Sequence, residues 1–119
     1  MFVGLAVLAF AFQELERERL VSHDIYCAAV SIVVTEEIQS RPVPDPAAEA
    51  GMMAMTLFFL GRVGGALPNQ DAADSVITMA QGIERETLAA SDIADCGRYF
   101  GNQVQSLMQQ AQAQGRPLK

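Results

Sequence analysis

Apolar residues recur three and four positions apart along almost the whole chain, and this spacing constrains the fold more than any other feature of the sequence. Ile25, Ala28, Ala29, Ile32 and Val33 illustrate it. An α-helix places such residues on one face, whereas a half-buried strand needs alternation with period two. With 119 residues, of which 50% are hydrophobic, the chain can bury a single core. The sequence therefore predicts an all-α fold, a compact bundle of about four helices.

The first helix is predicted over residues 24–39. Ser22 or Asp24 can cap its start, or the helix continues upstream through Glu14. Residues 41–46 contain three prolines, which exclude both a helix and a β-ladder. This segment is predicted to be an extended linker.

The second helix is predicted to start at Asp45 and Pro46, because the carboxylate can accept an unpaired N–H and proline is tolerated at the first helical position. It is predicted to run to Leu60. Its residues are apolar nearly all round, which indicates a central position. Three glycines are expected to end it: Gly61, Gly64 and Gly65.

The sequence signals for the ends of the third and fourth helices are weaker. Asn69 is expected to open the third helix, and Gly82 to weaken its middle. Ser91 or Asp92 is expected to start the fourth helix, and Gly115 to stop it.

Met1 to Phe12 is an unbroken apolar run. As a helix it would reach about 18 Å, whereas the hydrocarbon core of a membrane is roughly 30 Å thick. The pattern Ala9-Phe10-Ala11 fits a signal-peptidase site, although no Lys or Arg precedes the run. We expect a signal peptide over 1–11 and a single helical domain over 12–119, without a stable membrane span after cleavage. The alternative is an N-terminal core helix in a cytosolic protein.

The chain has two cysteines, Cys27 and Cys96, and neither belongs to a Cys-x-x-Cys pair. An even number of cysteines downstream of an export signal favours a disulfide, formed in an oxidising compartment such as the periplasm or the extracellular space. The spacing gives no support for a zinc site or for thioredoxin-type chemistry. The alternative is two buried, reduced thiols.

The charge balance argues against nucleic acid as a partner. Eight Lys and Arg stand against fourteen Asp and Glu, for a formal net charge of −6. Few cations are therefore present to displace the counterions of a phosphate backbone.

Three segments together resemble a group of small, exported, uncharacterised alphaproteobacterial proteins: Asp24-Ile-Tyr-Cys27, Phe58-Phe-Leu-Gly-Arg62 and Cys96-Gly97. In that group an aromatic-aliphatic-Leu-Gly-Arg segment lies between two cysteines. The resemblance covers residues 22–112. It implies export and a disulfide, and it assigns no catalytic residue.

Candidate catalytic groups are few. His23 is the only histidine, so paired Glu-x-x-His metal ligands cannot be built, and it is interpreted as a solvent-facing residue at a helix entry. Arg62 is expected to pair with a carboxylate or to cap helix carbonyls. No combination of nucleophile, base and electrophile is recognisable. The sequence therefore predicts neither an enzyme nor a metal or other cofactor.

Methionines on the second helix provide the one specific binding hypothesis. Their side chains are flexible and polarizable, and can repack around varied guests. A candidate apolar groove is predicted between the second and last helices, lined by Met52, Met55, Phe59 and Met108.

These observations favour a non-enzymatic exported protein that binds an apolar ligand or a protein client. The alternative is a cytosolic helical protein that dimerises through its apolar N-terminus, because an exposed apolar run marks an interface.

Overall fold

The computed structural model describes residues 2–115, and their side chains from residue 11 onward. Within that range the chain is helical and contains no strand, which confirms the all-α prediction. The α-helices are α1 (Phe2–Gln39), α2 (Pro46–Ala66), α3 (Asn69–Gly82) and α4 (Ala90–Ala113), and a short 3-10 helix, Arg85–Thr87, precedes α4.

Helix α1 is much longer than residues 24–39. From Leu5 to Gln39 the sequence has no glycine or proline, so nothing interrupts the helix. The predicted extension through Glu14 is confirmed. The predicted caps are wrong, because Ser22 and Asp24 lie inside the helix.

Helix α2 starts as predicted and ends later. The side chain of Asp45 accepts a hydrogen bond of 3.2 Å from the Ala48 N–H, and Pro46 occupies the first turn. The predicted end at the glycines is wrong, because α2 continues through all three to Ala66. Val63, in the middle of this stretch, is fully buried, and tertiary packing of this kind outweighs low helix propensity.

The boundaries of α3 and α4 follow the sequence closely. Helix α3 begins at Asn69, as predicted, but Gly82 is its last residue and does not weaken its middle. Helix α4 begins at Ala90, one residue before the predicted start. Gly115, with φ +68°, adopts the left-handed conformation that commonly ends a helix.

The core lies where the second half of α1 packs against α2 and α3. Phe59, Val63 and Val76 are the largest apolar side chains at its centre, and Ala28 packs among them. Cys27 on α1 and Cys96 on α4 form the expected disulfide, with their Cα atoms 5.5 Å apart. Cys96 is the one buried residue of α4.

Two helix segments extend beyond this core. Residues 11–20 of α1 and residues 101–110 of α4 are exposed throughout. The molecule is accordingly elongated, with principal extents of 65 × 43 × 28 Å. Among the described residues, no helix combines the length and apolar character needed to cross a membrane.

Candidate functional site

A buried ion pair joins α1 to α2 near the disulfide. The Nε atom of Arg62 donates a hydrogen bond of 3.0 Å to Oδ2 of Asp24. The Asp24 side chain is 6% exposed and that of Arg62 31%, so the carboxylate is the more desolvated partner. Of the two roles expected for Arg62, pairing with a carboxylate or capping helix carbonyls, the structure shows the first, but the sequence did not identify Asp24, which lies 38 positions away.

Aromatic rings surround the Arg62 guanidinium. Its Cζ atom lies 5.7 Å from the ring centre of Phe58 and 5.2 Å from that of Tyr99, within cation–π range. Phe58 also packs edge-on against Phe100, at 5.2 Å between ring centres. These contacts hold the first turns of α4 against α2.

His23 lies in the same cluster. Its ring centre is 4.8 Å from that of Tyr99, and its Nε2 atom is 3.6 Å from Sγ of Cys27. His23 lies inside α1, so its interpretation as a helix entry is wrong, whereas its side chain is 39% exposed and does face solvent in part. A histidine beside a free thiol could activate it, but the Cys27 sulfur is bonded to Cys96 and carries no proton. In this form the cluster links three helices and presents no nucleophilic sulfur.

A second polar contact anchors the start of α4. The Tyr26 hydroxyl donates a hydrogen bond of 2.9 Å to Oδ2 of Asp92. Partial burial raises the pKa of Tyr26, and the adjacent Asp92 carboxylate raises it further. The protonated tyrosine is thus the form that the fold favours.

The most distinctive surface of the described chain is one side of α2, which we term the α2 outer face. Every exposed position from residue 50 to residue 65 carries a small or apolar side chain: Ala50, Gly51, Met53, Ala54, Leu57, Gly61, Gly64 and Gly65. Leu57 is 68% exposed and Met53 is 50% exposed. No charged residue interrupts this face, since Glu49 and Arg62 are both partly buried beside it.

A small depression adjoins the α2 outer face. Its volume is about 210 Å³, and it is lined by Ile32, Thr35, Glu36, Met53, Thr56 and Leu57. A larger and open depression of about 760 Å³ lies between α1 and α3, where Asp74, Ser75 and Thr78 give it a polar wall. The depression beside Leu57 exposes almost only apolar atoms although Thr35, Glu36 and Thr56 border it, so it is the better fit for a small apolar group.

The four residues of the predicted groove do not line one surface. Phe59 is fully buried, Met55 is 7% exposed, and both belong to the core, with Met52 packed against it. Met108 is 46% exposed and lies in the projecting half of α4. Exposed apolar side chains do occur on α2, but at Met53 and Leu57.

Sequence reasoning missed the α2 outer face because α2 is apolar nearly all round and was therefore predicted to be central. One signal was present. The small residues of α2 cluster on one side of the helix, as a helical wheel of residues 50–65 shows, while the side with Met55, Phe59 and Val63 is bulky.

Within the described part of the chain, no group of three His, Cys, Asp or Glu residues is arranged to hold a metal ion. Compared with protein-family models, with curated proteins and with solved structures, the chain matches none of them.

Proposed function

We propose that this protein is an exported, non-enzymatic helical module that binds an apolar ligand or an apolar segment of a client protein on the α2 outer face. The observation that carries the proposal is the absence of any polar side chain at the exposed positions of α2 from residue 50 to residue 65. A contiguous apolar surface rimmed by polar residues is characteristic of an interaction site.

The composition of the face suits a guest of variable shape. Met53 is flexible and polarizable, so it can adapt to different apolar surfaces. A Cβ atom built at Gly61 or Gly64 would meet no neighbouring atom within 4 Å, so the backbone of α2 is open to close approach there.

Two features support export. The apolar run Met1 to Phe12, with Ala9-Phe10-Ala11, has the pattern of a signal peptide. The disulfide between Cys27 and Cys96 suits an oxidising compartment such as the periplasm. The structure does not describe the side chains of residues 1–10, so the proposal of a signal peptide rests on the sequence alone.

The binding proposal is tested with a polarity-sensitive apolar fluorophore titrated against the oxidised protein. We expect saturable binding that weakens by about tenfold or more in Leu57→Gln, because the substitution places an amide in the centre of the apolar face. Ile77→Gln is the matched control, since Ile77 is 52% exposed on α3. Equal binding by the wild type and by both variants would contradict the proposal.

A second candidate is a cytosolic protein that dimerises through the N-terminal half of α1. The observation in its favour is that Phe12, Leu15 and Leu20 are 67%, 54% and 47% exposed. A Phe12→Gln, Leu15→Gln double variant tests it. Loss of self-association in this variant, in a chain that retains Met1 to Ala11, would support this candidate.

A further inference from the structure

The C-terminal half of α4 is a second unpartnered apolar surface. We define the α4 arm as residues 101–113. Every residue from 101 to 110 is exposed. Among them are Leu107 at 68%, Met108 at 46% and Val104 at 37%. In a helix these three share the face that carries Cys96 and Phe100 one to three turns earlier.

We propose that the α4 arm of one copy packs on the α2 outer face of a second copy, and that the exchange is reciprocal and produces a two-fold symmetric dimer. The inference rests on the proposed binding role of the α2 outer face and names a second copy of this chain as its occupant.

The first argument is the length of the apolar stripe on α4. Its first part is used within the protomer, where Cys96 forms the disulfide and Phe100 packs on Phe58. The stripe continues through Leu107 although the body of the protomer ends before it. An apolar stripe that continues past its own core is available for contact with a partner.

The second argument is charge. The protein has a formal net charge of −6, so most approaches of a second copy bring like charges together. The α4 arm contains no charged residue, and neither do the exposed positions of the α2 outer face. Contact between these two surfaces therefore desolvates no charge.

The third argument is shape. The arm presents the bulky side chains of Val104, Leu107 and Met108, whereas the α2 outer face carries only glycine after Leu57. Large side chains of one helix fit against the small residues of another, because the small residues let the helix axes come close.

The fourth argument is area. A stable interface buries on the order of 1,200 Å² or more in total, which is more than one short helix-to-helix contact provides. Reciprocal exchange forms the same contact twice. Two-fold symmetry of this kind is the commonest arrangement of homo-oligomers.

The test is sedimentation equilibrium of the disulfide-bonded protein with two variants. The arm variant, Leu107→Gln with Met108→Gln, and the face variant, Leu57→Gln, change exposed residues and leave the core intact. We expect a wild-type dimer and a dimer dissociation constant at least about tenfold higher in each variant. Ile77→Gln should dimerise as the wild type does.

A mixture of the two variants distinguishes exchange from other modes. The intact arm of the face variant can pack on the intact face of the arm variant, which restores one of the two contacts. The mixture should therefore contain more heterodimer than either variant alone contains homodimer, as measured by native mass spectrometry. A monomeric wild type, a face variant that dimerises normally, an arm variant that dimerises normally, or a mixture in which heterodimer does not exceed the homodimers would each overturn the proposal.

The apolar fluorophore separates this inference from the proposed function. The arm variant should bind the fluorophore at least as well as the wild type, because its α2 outer face is free. A monomeric wild type that binds the fluorophore through Leu57 would overturn the dimer alone. Binding that is insensitive to Leu57→Gln would overturn the proposed function.

Discussion

Arg62 on α2 and Asp24 on α1 are 38 positions apart in sequence, and Nε of the arginine lies 3.0 Å from Oδ2 of the aspartate. The Arg62 guanidinium also lies over the rings of Phe58 and Tyr99. The Asp24 side chain is 6% exposed, and its other polar neighbour is Nδ1 of His23, 3.5 Å from Oδ1.

Replacement of Arg62 by Met should therefore destabilise the protein by about 2 kcal/mol or more, since it leaves a buried carboxylate without its cation. Urea denaturation measures the change. Arg98→Met is the control, because Arg98 pairs with Asp95 at an exposed site and such pairs contribute about 0–1 kcal/mol. An equal effect of the two substitutions would show that Asp24 does not depend on Arg62.

Removal of the disulfide should destabilise the fold, and α4 should be the first helix to detach from the core. The bond closes a loop of 69 residues, for which the chain-entropy model gives about 4 kcal/mol. The Cys27→Ala, Cys96→Ala variant should lose that stability in urea, and hydrogen exchange should accelerate in α4 before it does in α1. Two titratable thiols in the unreduced wild type would contradict the bond itself.

Two substitutions, two residues apart, test which side of α2 is buried in the core. Phe59→Ala should cost about 3–5 kcal/mol, because it leaves a cavity at a fully buried position. Leu57→Ala should change the stability of the monomer by less than about 0.5 kcal/mol, since Leu57 is exposed. The measurement is urea denaturation at a protein concentration low enough to keep the chain monomeric. A larger loss of stability in Leu57→Ala than in Phe59→Ala would contradict this orientation of α2.

Tyr26 should make stability pH-dependent in the alkaline range. Its pKa is raised in the folded protein, so its contribution is complete below its usual pKa of about 10 and is lost as pH rises through the higher folded value. The wild type should exceed Tyr26→Phe by about 1 kcal/mol at pH 8. This difference should shrink at higher pH, and a constant difference would contradict the assignment to Tyr26.

Export predicts a processed N-terminus. Intact mass of the protein from its native host should correspond to a chain that begins at Phe12, because the signal-peptidase pattern ends at Ala11. Such a chain would retain most of α1. A cytoplasmic species that retains Met1 to Ala11 would contradict export and favour the alternative of a cytosolic dimer.

Much of the fold was determined by the sequence itself, because the relevant interactions are local. The spacing of apolar residues specifies helices. The Asp45-Pro46 pair specifies the start of α2 through one capping hydrogen bond, and Gly115 specifies the end of α4 through its left-handed backbone. The cysteine count and an N-terminal export pattern were also sufficient to predict a Cys27 to Cys96 bond.

Only the tertiary structure decided which side of each helix is covered. Helix α2 continues through its glycines because Val63 is buried by residues from elsewhere in the chain, an effect that local propensity does not contain. Met53, and not Met55, is exposed because the register of α2 on α1 fixes the buried side. The partner of Arg62, and the point at which α4 leaves the core, depend on how helices distant in sequence cross. Such crossings are set by the packing of whole side-chain surfaces, which no single segment specifies.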